Sequence, residues 1–167
     1  MIRIEIKDDS RNLQEIASAL ERELEGVLTA VGTELLGFIA EDFEKKSEGK
    51  LGDDGVQWAP LKEATIKAKN RRNRRGAATS RTMIGINTGI LRNSATPGQK
   101  SSDGKGGNVF DVQQNEVTVG YGRTYARYFD ERRPLIPEKI PSAWEEAAEE
   151  IVSDWIDEVW KTKMEGK

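Results

Sequence analysis

The sequence predicts a single α+β domain over residues 1–167: one long N-terminal helix and a C-terminal helix packed on a small antiparallel β-sheet, with two flexible loops. Three observations lead there. Apolar residues recur at three- and four-residue steps from Leu13 to Phe43 and from Trp144 to Val159, the spacing of helices with one buried face. Val109-Phe110-Asp111-Val112 and Val117-Thr118-Val119-Gly120-Tyr121 flank the polar turn Gln113-Gln114-Asn115-Glu116, the pattern of a hairpin. The stretches Asn70–Ser80 and Pro97–Asn108 are polar and carry almost no apolar anchor, as loops do.

Taken in order, Ile2, Ile4 and Ile6 alternate with Arg3, Glu5 and Lys7, which predicts a short edge strand. Asp8-Asp9-Ser10 then offers N-caps to the long helix. Its apolar stripe drifts from the Leu13/Leu20/Val27 line to the Leu28/Leu35 line, as a 3.6-residue period requires, so it faces a core rather than forming a free coiled coil. Gly26, Gly32 and Gly37 each cost up to about 1 kcal/mol in a helix interior, so they either interrupt the helix or admit a close neighbour. Pro60 suits the start of a short helix over Leu61–Lys69, and Asn70–Ser80 follows as an exposed, mobile arm. Thr88 is positioned to cap a turn over Gly89–Ser94. Arg133-Pro134-Leu135-Ile136-Pro137 should be extended, because proline restricts the residue before it. Ser142-Ala143-Trp144-Glu145 has the spacing of a capping box for the last helix.

Composition narrows the function. The chain has no His and no Cys, which removes Ser-His-Asp triads, His-based zinc sites, thiolate sites and disulfides. No apolar run approaches a membrane span and the N-terminus lacks the continuous apolar stretch of a secretory signal, so folding in a cytoplasm is expected. Apolar residues make up 36% and charged residues 33%, a lean core that a neighbouring subunit could complete. The net charge of -3 hides a strong asymmetry. Residues 62–81 hold eight basic side chains against Glu63, whereas residues 138–167 hold nine acids against four lysines. Such a layout favours head-to-tail contact between copies, with two solvated faces as the plainer alternative.

Individual features sort the same way. The arginine arm (Arg71, Arg72, Arg74, Arg75) has the charge density of a nucleic-acid patch, yet no aromatic side chains interleave with it for base stacking. A protein-contact arm or a solvated loop is the favoured reading, with DNA contact as the alternative. Gly104-Lys105-Gly106-Gly107 lacks the Gly-Lys-Ser/Thr ending of a phosphate loop. Trp144, Trp155 and Trp160 lie near one side of the last helix, for core packing or, at Trp155 and Trp160, for a subunit interface.

Gly55-Val56-Gln57-Trp58-Ala59-Pro60-Leu61, with Thr65 and Lys69, resembles the W-x-P-L-x-x-x-T-x-x-x-K signature of the phage virion morphogenesis proteins of Mu-like phages and prophages. Thr88-Gly89-Ile90-Leu91-Arg92-Asn93-Ser94 is similar to that family's T-G-x-L-x-x-S, and a hairpin, Tyr125-Ala126 and Arg133-Pro134-Leu135 follow in the family's order. The chain departs where the family often carries a His-Gln-x-Gly-like run, having Arg127-Tyr128-Phe129-Asp130 instead. The resemblance implies a structural, non-enzymatic tail-completion or head–tail joining protein, arranged as a ring in the neck of the virion after assembly in the host cytoplasm. Its partners would be further copies of itself, tail terminator or tail tube proteins, and connector proteins on the portal side, with no cofactor, metal or membrane. Trp58 would plug a pocket beside the long helix while Pro60 sets the angle of the next one. Arg71, Arg72, Arg74, Arg75, Arg133, Trp155 and Trp160 are the candidate interface residues.

Overall fold

The computed structural model describes residues 10–74, 82–86, 89–95, 107–113 and 115–165. The expected strand over residues 2–7, its cap candidates Asp8 and Asp9, Arg75, Thr88 and most of the loop 97–108 lie outside them. The elements run α1 (Ser10–Ser47), α2 (Glu63–Arg74), α3 (Ile90–Asn93), β1 (Val109–Gln113), β2 (Glu116–Gly120), α4 (Ala126–Asp130) and α5 (Ser142–Glu165). This is the expected α+β arrangement: two long helices and a small antiparallel sheet. Among the described residues no helix is long and apolar enough to cross a membrane.

Helix α1 is continuous for 38 residues, about 57 Å at 1.5 Å per residue. Its three glycines do not interrupt it. Ile16, Ala19, Val27, Val31, Leu36, Ile39 and Phe43 form its buried stripe, whereas Leu13, expected there, is 58% exposed. The hairpin pairs Phe110 with Val119 and Val112 with Val117, so these four side chains share one sheet face. That face rests on Gly32. A Cβ added at Gly32 would stand 2.6 Å from Val117 Cγ2 and 2.9 Å from Phe110 Cε2, closer than side chains can approach. Gly26 and Gly37 have nothing within 4 Å of such an atom. Only Gly32, of the three, is where the sheet needs the missing side chain.

Two apolar clusters hang on α1. One gathers Phe43, Trp58, Ile84, Ile86, Leu91, Ala126 and Leu135; the other gathers Leu36, Ile39, Ala95 and Trp144. Tyr121 packs against both. Helix α5 lies along α1, with Trp144 stacked on Phe38 at 5.6 Å near one end and Trp155 donating to Glu23 nearer the other.

Several boundaries differ from expectation. Helix α2 begins at Glu63, not at Pro60, because the Lys62 carbonyl accepts the first turn's amides from Thr65 and Ile66. It then continues through Arg74, so Asn70–Arg74 is helix rather than the expected arm; Lys, Arg and Asn are tolerated there and the helix is tied down at Lys69. Gly89 itself is the N-cap of α3, at φ 79, with no side-chain cap. In α5 the Pro141 carbonyl accepts from Trp144 and Glu145, which places the N-cap at Pro141 and Ser142 one residue inside the expected capping box.

Alanine substitution separates the helical glycines. Gly26→Ala and Gly37→Ala should each raise stability by about 0.5–1 kcal/mol. Gly32→Ala should lower it by about 1–3 kcal/mol, because Val117 and Phe110 must move. Urea denaturation of the three variants checks the order.

Candidate functional site

The segment 48–62 connects α1 to α2 and carries the signature tryptophan. A charged clamp holds it. Lys46, on the last turn of α1, has a fully buried side chain, and its Nζ stands 2.7 Å from Asp42 Oδ2 and 2.7 Å from Asp54 Oδ2. Asp42 is equally buried, and its Oδ1 accepts the Asp53 amide at 2.6 Å. Outside this core Lys45 Nζ donates to Asp53 Oδ1 at 2.6 Å, and Trp144 Nε1 donates to Asp53 Oδ2 at 3.2 Å. The loop closes on itself through the Gly52 amide to the Val56 carbonyl and a bridge between Leu51 and Gln57. Gln57 Nε2 also reaches the Gly49 carbonyl. Gly52 lies over the clamp so closely that a methyl group there would overlap the Lys46 and Asp42 side chains.

Desolvation pushes the Asp53 carboxyl upward, but hydrogen bonds from Lys45 and Trp144 and the charges of Lys45 and Lys46 outweigh it and hold the group below its ordinary value. The folded state therefore binds this proton less readily than the unfolded chain. The resulting stability is present above the unfolded value near ~4 and is lost as pH falls through the lower folded value.

Beyond the clamp the chain delivers Trp58 into the first cluster, 3% exposed. The indole meets Phe43 of α1 edge-on at 5.2 Å and Phe129 of α4 edge-on at 5.3 Å. Its Nε1 donates to the Pro134 carbonyl at 3.0 Å, satisfying its one polar atom. Gly85 sits against the three rings at φ 74; a Cβ there would stand 2.9 Å from Phe129 and 3.2 Å from Phe43 and Trp58. Ring packing and backbone angle both demand glycine at that position.

The rest of the signature divides by depth. Leu61 is half-buried against the same cluster, while Pro60 and Thr65 are exposed. Lys69 is 8% exposed, and its ammonium donates to the carbonyls of Met83 at 2.6 Å and Ile86 at 2.5 Å. Burial lowers the Lys69 pKa. Its charge serves to bind α2 to the segment that carries Ile84, Gly85 and Ile86. Leu91 and Ala126 are buried in the cluster, Gly89 begins α3, and Tyr125, the N-cap of α4, is 44% exposed.

The candidate interface residues do not converge on one face. Arg71 is exposed on α2; the Arg72 and Arg74 side chains and all of Arg75 lie outside the described residues. Arg133 Nη2 donates to the Ala59 carbonyl at 3.1 Å, locking the signature to the 133–135 segment. Trp155 is half-buried and bonded to Glu23, whereas Trp160 is 47% exposed.

Two features had escaped the sequence reading. The Asp42–Lys46–Asp54 clamp had one signal: Asp42 and Lys46 flank Phe43 on the apolar side of α1, where a solvated charge pair does not belong. The other is a groove of about 460 Å³ between α1 and α5, walled by Leu28, Val31, Leu35, Trp144, Val152 and Ile156 and edged by Glu145 and Glu149. Among the described residues, no three His, Cys, Asp or Glu side chains are grouped to hold a metal. The clamp carboxylates face lysines, and burial pushes the Tyr121 phenol far up, so it stays neutral. The arrangement is one for holding chain segments together.

Lys46→Met should cost about 3–5 kcal/mol, since two carboxylates lose their buried counter-charge, and Trp58→Ala about 3–5 kcal/mol from the void it leaves. Asp53→Asn should flatten the acid limb of the stability profile below about pH 4 while leaving the profile at neutral pH parallel to that of the parent. Chemical denaturation from pH 2 to 8 measures both effects. Comparison with known protein families, curated proteins and solved structures finds no match to this chain.

Proposed function

We propose that this chain is a structural part of a tailed-phage particle, a neck or tail-completion component that forms a ring and joins the tail to the head connector. It performs no catalysis in this role. It works at the neck or tail end of the virion after folding in the host cytoplasm. The observation that carries the reading is the use made of the family-like signature: Trp58 and Lys69, its two buried polar-capable residues, each spend their donors on backbone carbonyls of distant segments. A signature spent on fastening segments suits a scaffold. The order of the remaining family-like motifs along the chain supports the same reading.

One observation favours DNA contact as the second reading: α2 presents Lys67 and Arg71 on an exposed helical face. That charge is already partly offset, because Lys67 pairs with Glu63 at 2.7 Å.

The test mixes the purified full chain with tail-tube and connector proteins of a Mu-like phage, followed by sedimentation and electron microscopy. Rings seated on tail ends are expected; a chain that binds neither protein overturns the reading. In parallel, duplex DNA at low salt should not be retained. Retention that disappears when Arg71, Arg72, Arg74 and Arg75 are neutralised would establish the second reading instead.

A further inference from the structure

The groove between α1 and α5 is an apolar trough left open on a charged molecule. Ile140 and Ile156, on its walls, are 62% and 43% exposed, and an apolar groove of this kind is what the face of an amphipathic helix fills. The charge around it selects the occupant. Glu145 and Glu149 edge the groove, and Glu146, Glu150, Asp154, Asp157 and Glu158 are also exposed along α5. Two copies packed groove to groove would set this acidic helix against itself, which like-charge repulsion opposes.

The complementary surface is on the same chain. Helix α2 turns Ile66 and Lys69 inward and leaves Ala64, Lys67, Ala68 and Arg71 exposed, at the i, i+3, i+4 and i+7 steps of one helical face. Two alanines on that face let a helix backbone come close, and two cations, Arg71 and the Lys67 that also pairs with Glu63 at 2.7 Å, match the groove's acidic edge. The α2 face and the groove occupy different parts of the molecule: α2 is tied to the Trp58 cluster at the C-terminal end of α1, whereas the groove opens at Leu28–Leu35.

We propose that the α1/α5 groove of one copy receives α2 of the next, with Ala64 and Ala68 on its apolar floor and Lys67 and Arg71 beside Glu145 and Glu149. The contact is head-to-tail, so its repetition closes a ring or extends a filament. It rests on the reading above that the chain assembles with itself, and it names the surfaces that do so.

The cysteine-free chain makes the test direct. Full-length Ala68→Cys and Ala148→Cys variants, mixed and oxidised, should form a disulfide-linked dimer between the two, and neither should cross-link alone. Self-linking of Ala148→Cys would show groove-to-groove packing and overturn the proposal, as would no cross-link in the mixture. Charge reversal gives an independent arm. Glu145→Lys/Glu149→Lys and Lys67→Glu/Arg71→Glu should each weaken self-association at low salt about tenfold in sedimentation velocity, and mixing the two should restore it. Failure to restore overturns the contact. A chain that binds tail and connector proteins without the heterologous cross-link loses this contact and keeps its role; one that cross-links but ignores those proteins keeps the contact and loses the role.

Discussion

The Lys46 ammonium, fully enclosed between Asp42 and Asp54, is the constraint on which the site depends. Burying these charges is unfavourable unless all three groups meet, because each lost its water on the way in. Asp54 reaches Lys46 only if residues 51–57 fold back over the end of α1, and that path is tightened by the Asp53 amide on Asp42. The loop therefore has one satisfactory conformation. It releases the chain at Trp58, aimed at Phe43. Breaking such a cluster is costly because it strands a buried charge, and the path it holds fixes the placement of one indole.

From Trp58 the constraint spreads to segments far along the sequence. Its Nε1 takes the Pro134 carbonyl, Arg133 returns to the Ala59 carbonyl, and Phe129 closes the second side of the ring. Lys69 performs the matching task for residues 83–86. Three irregular stretches and helix α2 are thus joined by donors that each satisfy a distant carbonyl. This explains how the described residues, with one two-stranded sheet among them, hold a defined core: side chains supply the long-range bonds that a larger ladder would otherwise provide.

Much of the architecture was readable in the residues, and the reasons differ by element. Phe110, Val112, Val117 and Val119 alternate, so hairpin and register follow from a period of two. Helix α1 follows from its stripe, although whether its glycines break it depends on what lies outside the helix, which no local pattern contains. The sheet at Gly32 and the open space at Gly26 and Gly37 are facts about neighbours. The clamp was harder still. Asp42 and Lys46 have the spacing of an ordinary exposed i, i+4 pair; their place beside Phe43 is the one local sign of burial, and the loop that folds over them completes it. For the same reason Arg133, expected as a candidate interface residue, turns out to bond the backbone at Ala59, while Lys69, which falls in the basic run 62–81, is buried.

The uninterrupted length of α1 has a mechanical consequence. Both apolar clusters and the hairpin are mounted on one rod, the hairpin close to its middle at Gly32. A helix of this kind resists stretching and bending far better than a chain of loops, so the spacing of the two clusters and the hairpin along it is held by the rod itself.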